Sequence, residues 1–452
     1  MTMKNAFKDA ILFVALSLAM LLLVLAAASM VFAAEPLSLE QAVATALKSN
    51  PGIKAADAQV ESADAGVLKS NSGFLPKVTV SETWSKSDNP LMVLGMKLNQ
   101  ETISTSDFYP TVMNNPDALA NYNSRLAVTQ PIFNGGKEYL GKKQARLGYE
   151  AATQDRERTR QETVFSVVKA YYGVLLANEN RKVALQSLET SEANMKLAEM
   201  RFKAGTVLQS DLLRARVQYA EVKEMATRTE NGVKLALANL TYVMGVSLDA
   251  EYSVEGTLTA KDMQADLDNL VASAKAARPD LASLGKNREN AETGVNQART
   301  DFIPSLNLLG EVDWNSDRFG GNDAKSWMVV AVLQWNLFDG MVTTANVRQA
   351  SATASRTRAL EGQMRSAVEL QVRQAYYNLR ASQDRIAASA TSVQEAEEGF
   401  RIVQKRYEAG MTTFVDVLGA ESALIRARTN ALQALYDNNV AESELKLATG
   451  TL

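Results

Sequence analysis

The chain has no cysteine and no histidine. Without cysteine there are no disulfides, thiolate metal sites, thiol nucleophiles or cysteine-borne lipid anchors. Without histidine the commonest general base and metal ligand is gone. Carboxylate chemistry stays open in principle, but no paired-acid motif stands out, so no catalytic residue, cofactor or metal site is expected. Net charge is also scarce, at −3 over 452 residues, and no basic cluster occurs. Nucleic acid is therefore not an expected partner. Long apolar runs are nearly absent: only residues 11–34 form one, preceded by Lys4 and Lys8 and ending near Val31, Phe32 and Ala33. Charged start, apolar run and small residues at cleavage spacing describe an export signal, with the cut expected after Ala33. An uncleaved membrane helix is the alternative. No other stretch has the roughly 18 consecutive apolar residues of a spanning helix. If the mature chain crosses a membrane, it does so with strands.

What is present comes twice. FLPKVTV at 74–80 matches FIPSLNL at 302–308, and Pro51 matches Pro279, both at an offset of 228. PIFNGG at 131–136 matches NLFDGM at 336–341, and AYYGVLLA at 170–177 matches AYYNLRAS at 375–382, now at 205. Gly205 and Gly410, and Gly245 and Gly450, keep the 205 offset. The change of 23 residues places a longer loop in the first copy, within 85–121. The expected organisation is a signal peptide (1–33), a first repeat (34–245), a linker (246–265) and a second repeat (266–452). Each copy reads as a helix kinked or interrupted at its proline (39–72, 266–300), two strands, a very long helix (137–203, 341–408), a short turn and a return helix (210–245, 414–449). A 67-residue helix is a rod of about 100 Å that must lie along other helices.

Heptads support lateral packing. Leu188, Met195 and Phe202 are seven apart in the first long helix, as are Ile386, Val393, Phe400 and Tyr407 in the second. The return helices carry Leu212, Tyr219, Ala226, Val233 and Leu240, and Val417, Leu424, Ala431 and Leu445 with Asn438 interrupting. A sustained seven-residue period implies coiled coils, so these residues are expected to build a wall and bind nothing.

The strands alternate. Trp327, Val329, Ala331, Leu333 and Trp335 share one face, with the two tryptophans about 26 Å apart along an extended chain. Leu306, Leu308, Val312 and Trp314 repeat the theme, with Asn307, Glu311 and Asp313 opposite; Val78, Val80 and Trp84 form a weaker version that Glu82 interrupts. An apolar band flanked by Trp84, Trp314, Trp327 and Trp335 suits an aromatic girdle around a lipid-facing barrel. Four strands cannot close a barrel, and lipid does not tolerate an open sheet edge. The chain must then associate with copies of itself, and either eight or twelve strands would serve.

AGTVLQSDLL at 204–213 and AGMTTFVDVL at 409–418 are one turn made twice. Gly205 and Gly410 sit where a left-handed glycine ends a helix. Ser210 or Asp211, and Thr413 or Asp416, would cap or open the return helix. In a symmetric assembly, Asp416 would also form an acidic ring. The leader, the doubled layout, the A-G-x-x-x-x-x-D-[LV]-L turns and the FxP and N-x-F-[ND]-G motifs together resemble the TolC-like outer membrane efflux proteins, over essentially the whole mature chain. The resemblance implies a trimeric twelve-stranded outer-membrane β-barrel, four strands per chain, continuing into a long α-helical coiled-coil tunnel in the periplasm. It implies a passive exit duct of a tripartite efflux or type I secretion system, meeting a periplasmic adaptor and an inner-membrane pump of RND or ABC type. Asp416, Tyr407 and Asp211 would then belong to the periplasmic gate, and Gly205, Thr206, Gly410 and Met411 to adaptor-contacting tips. Thr412 and Gly419 depart from the family pattern, standing where some members have an arginine and a second aspartate. The rival reading is a periplasmic coiled-coil adaptor or scaffold held by its N-terminal helix.

Overall fold

A computed structural model describes residues 35–263 and 266–452; the expected leader and its cleavage site lie outside them. In chain order the elements are β1 (Glu35–Leu37), α1 (Leu39–Ser49), α2 (Pro51–Ser70), β2 (Lys77–Ser87), α3 (Pro90–Asn99), α4 (Pro110–Asn114), β3 (Leu119–Asn134), α5 (Lys137–Lys203), α6 (Gln209–Met244), β4 (Tyr252–Val254), α7 (Leu267–Ala277), α8 (Pro279–Arg299), β5 (Ser305–Ser316), β6 (Ala324–Gln334), α9 (Val342–Glu408) and α10 (Phe414–Thr449). Both prolines interrupt their helices: the chain is extended at Asn50 and Arg278, and a new helix starts at Pro51 and Pro279. Contacts divide the chain into two compact units. One comprises residues through Lys54, Thr159–Arg278 and Val368–Leu452; the other Ala55–Arg158 and Pro279–Ala367. Each draws on both copies of the repeat.

The helical unit is centred on Val167, Val168, Tyr171 and Val174 of α5, packed with Ala42 and Ala46 of α1 and Leu240 and Met244 of α6. A short parallel pair, β1 with β4, lies within it, Leu37 opposite Val254, and Tyr171 donates its hydroxyl to Leu37 O at 3.1 Å. Equivalent sites of the two copies make equivalent contacts with different residues. Asn50 Nδ2 donates to Val243 O at 2.7 Å, and Arg278 Nη1 donates to Ala448 O at 3.3 Å. The donors keep the 228 offset and the acceptors the 205 offset.

Most heptad residues line the seams as expected, with one correction. Over residues 184–202 the most buried line on α5 is Ala184, Ser187, Ser191, Asn194 and Ala198, not Leu188, Met195 and Phe202, which flank it; Phe202 is 38% exposed. Small residues hold the centre because they let neighbouring backbones approach, and the larger apolar chains cover the sides. On α10, Asn438 is fully buried within the seam and satisfied: its Oδ1 accepts from Lys261 N at 2.9 Å and its Nδ2 donates to Ser382 Oγ at 3.2 Å.

The second unit contains an antiparallel sheet of order β2-β3-β5-β6. Register places Val80, Leu126, Val312 and Trp327 side by side on one face, with Val78, Val128, Gly310 and Val329 as the next row. The other face carries the paired charges, with Leu309, Met328, Val330 and Val332 among them. Arg125 Nε lies 2.9 Å from Asp313 Oδ1 and its Nη1 3.5 Å from Glu311 Oε2, while Asn121 and Asn123 donate to Asn315 and Asp313. The long first-copy loop folds into α3 and α4, pinned where Gln100 Nε2 donates to Ala120 O at 2.8 Å and Asn121 Oδ1 at 2.9 Å.

Candidate functional site: the repeated helix ends

Both long helices finish alike. Gly205 (φ +72) and Gly410 (φ +73) are left-handed, and added Cβ atoms there would meet nothing within 4 Å, so the backbone conformation alone calls for glycine. Gly205 N donates to Phe202 O and Thr206 N to Arg201 O, both at 2.9 Å. Gly410 N donates to Tyr407 O at 2.9 Å and Met411 N to Arg406 O at 2.8 Å. These bonds satisfy the last carbonyls of each helix. Thr206 and Met411 are exposed beside them.

The return helices begin differently. In α10 the N-cap is Thr413, with a full capping box: one carboxylate oxygen of Asp416 accepts from Thr413 N at 3.0 Å, Thr413 Oγ1 at 2.7 Å and Thr412 Oγ1 at 2.6 Å. These donors, led by the Thr412 hydroxyl, hold the carboxyl below its usual range. Thr412 thus serves its own turn. In α6 the position before the helix is Leu208, with no side-chain cap. Ser210 is not a cap, a correction to one sequence expectation; Asp211 does lie in the first turn, where a negative charge complements the helix N-terminus.

Tyr407 is the buried centre of this region. Its ring tilts against Phe414 with centroids 5.5 Å apart and packs with Ala198, Ala215 and Val417. Its hydroxyl is buried and has no hydrogen-bond partner among the described residues. Burial raises its pKa, the nearby Arg201 charge opposes this, and Asp211 adds to the rise. Arg201, which sequence reasoning did not single out, binds the end of α9: Nη1 donates to Tyr407 O at 2.7 Å, Nη2 to Glu408 O at 2.6 Å, and the guanidinium sits 4.7 Å from the Tyr407 ring centroid. A fork-shaped cation on two terminal carbonyls and an aromatic face combines three favourable contacts. The residues are 206 and 207 positions apart, so no spacing signals the contact.

One buried acid also escaped the sequence reading. Glu421 of α10 is 2% exposed, and neither carboxylate oxygen accepts a hydrogen bond from any described residue. Burial raises its pKa to about 7. The amide of Asn194 on α5 is near enough to oppose this, but its Nδ2 makes no hydrogen bond of good geometry. Glu421 borders a cleft of about 240 Å³ with Thr190, Phe400, Leu424 and the paired Glu397 and Arg428.

The expected girdle residues belong to the sheet. Trp84 is opposite Tyr122, Trp314 opposite Ser124 and Trp327 opposite Val312, which puts all three on the apolar face and toward one end of it. Trp335 lies just beyond β6, eight residues from Trp327, and its Nε1 donates to Phe302 O at 3.1 Å.

Residues 42–246 and 270–451 match the family model for "Outer membrane efflux protein". The alkaline protease secretion protein AprF of Pseudomonas aeruginosa is 28% identical over 348 residues, covering 74% of this chain and 70% of that protein. The outer membrane protein TolC of Vibrio cholerae is 24% identical over 419 residues, covering 90% and 89%. The crystal structure of the Campylobacter jejuni CmeC outer membrane channel shares the fold, with a TM-score of 0.79 at 19% identity over 91% of this chain and 85% of that one. With both halves of the chain matched and the fold shared, the chain belongs to the outer membrane efflux protein family and is an outer-membrane exit duct.

Proposed function

We propose that three copies of this chain form one passive duct, each supplying four strands to a twelve-stranded barrel and its helices to a tunnel wall. The observation that carries this is the sheet. One face is apolar and exposed, the other holds Arg125, Glu311 and Asp313, and β2 and β6 each have a strand on one side only among the described residues. Lipid requires the apolar face outward and the edges paired, and closure with copies gives the even strand number that barrels use. The family resemblance favours three copies over two. The duct performs no catalytic step. Its repeated turns, with Gly205, Thr206, Gly410 and Met411 at the surface, would meet a periplasmic adaptor, and a pump of RND or ABC type in the inner membrane would supply the energy. Trp84, Trp314, Trp327 and Trp335 would lie at the membrane interfaces. Asp416, Tyr407 and Asp211 would form the gate. AprF is named for protease secretion, so polypeptide cargo is within the family's range.

Electrophoresis of the outer-membrane fraction without heating tests the assembly. A species near three times the chain mass that collapses on boiling supports the reading. A protein that stays monomeric and water-soluble without detergent removes it.

A further inference from the structure

The two copies end their long helices with RFKAG (201–205) and RYEAG (406–410). Position by position, Arg201 corresponds to Arg406, Phe202 to Tyr407 and Lys203 to Glu408. Among the described residues, only one of the two arginine side chains is used inside the chain. Arg201 binds the Tyr407 and Glu408 carbonyls and covers the Tyr407 ring, which is 4% exposed. The Arg406 side chain is exposed and makes no hydrogen bond or ion pair with any described residue; its charge acts only weakly on Asp416. The matching target is also uncovered. Phe202 is exposed where Tyr407 is buried, and no described side chain donates to the Phe202 or Lys203 carbonyls at the C-terminus of α5.

A chain made of two similar halves has two kinds of junction when copies close into a ring. The first half meets the second within a chain, and the second half meets the first of the next chain. This is a head-to-tail interface that closes by rotation. The copies already reproduce contacts at equivalent positions within one chain, as the Asn50–Val243 and Arg278–Ala448 pairs show. We propose that Arg406 is the inter-subunit counterpart of Arg201, donating its guanidinium to the carbonyls of Phe202 and Lys203 of the partner subunit and covering that Phe202 ring. The inference rests on the trimeric reading above. It names a second copy of this chain as the occupant of the surface around Phe202, and it makes the tip a ring of six arginine contacts, three within chains and three between them. The chemistry fits: terminal helix carbonyls carry partial negative charge, and a planar cation satisfies two at once while stacking on an aromatic ring.

The absence of native cysteine makes the test clean. The double variant Arg406→Cys, Lys203→Cys is treated, in native outer membrane, with a short bis-maleimide whose span matches an arginine side chain, then boiled and run on a denaturing gel. Covalent dimers and trimers are expected. The pair Arg201→Cys, Glu408→Cys serves as the within-chain control and should remain monomer-sized. If the first variant yields only monomer-sized product while its unheated sample still runs as a trimer, the contact is wrong and the trimeric duct stands. If the unheated sample is itself monomeric, the trimeric reading falls and the contact with it.

Discussion

Glu421 brings a linkage argument to the residue scale. A carboxyl whose folded pKa is raised to about 7, from 4.5, binds more protons folded than unfolded across that interval. Stability therefore falls as pH rises from about 4.5 to about 7 and the contribution is flat beyond. The groups sharing its cleft do not offset this, because Glu397 and Arg428 are paired with each other, Nη2 to Oε1 at 2.7 Å, and Arg428 also binds Gln186. Glu421→Gln removes the ionisable proton at nearly constant shape. We expect this variant to exceed the parent in stability at pH 8 by on the order of 3 kcal/mol per chain, with the gap closing by pH 4.5. Thermal unfolding in detergent at both pH values measures it, and a gap of equal size at both would refute the assignment. Asp416 has the opposite sign: its lowered pKa favours the capped turn above the usual carboxylate range and loses that advantage as acid protonates it.

At the scale of elements, two glycines separate backbone conformation from close approach. Gly205 and Gly245 have the same φ of +72, but a Cβ at Gly205 would meet nothing, whereas one at Gly245 would lie 2.6 Å from Asn50 Cα and 2.9 Å from Asn50 N. Gly205→Ala should cost about 1–2 kcal/mol, the penalty for a side chain in the left-handed region. Gly245→Ala should cost roughly 1–3 kcal/mol more, since the α1–α2 corner has to move. Denaturant or thermal unfolding of the two variants decides, and equal losses would show that the corner yields freely. These elements also mark how far the sequence was readable. Pro51, Pro279, Gly205 and Gly410 act through local backbone geometry, so their helix breaks and turns could be read directly. Strand alternation was readable for the same reason, and the register then carried Trp84, Trp314 and Trp327 onto one face. The α5 seam was misplaced because a heptad of large apolar residues identifies a packing side, while the closest line of approach went to Ala184, Ser187, Ser191, Asn194 and Ala198. Arg201 and the Gln100 anchor depend on partners brought close only by the completed fold. Glu421 looked like one more charged residue among heptads, and only burial distinguishes it.

At the scale of the whole molecule, Asp416 has two roles that can be pulled apart. Within one chain it completes the Thr413 capping box. In the proposed trimer, three such carboxylates would face a common axis, and their Thr412 and Thr413 donors favour the ionised form. A ring of fixed negative charge in a narrow pore concentrates cations and lets a multivalent one lodge there. Asp416→Asn removes the charge and keeps an oxygen that Thr413 can donate to; Asp416→Ala removes both. In planar bilayer recordings, both variants should weaken block by a trivalent cation by roughly tenfold or more, because block depends on charge. Only the alanine variant should also lower the thermal stability of the purified protein, because the cap depends on the acceptor. If the asparagine variant is blocked as strongly as the parent, Asp416 is a helix cap and nothing more, and the acidic constriction must be sought elsewhere, with Asp211 as the next position to change.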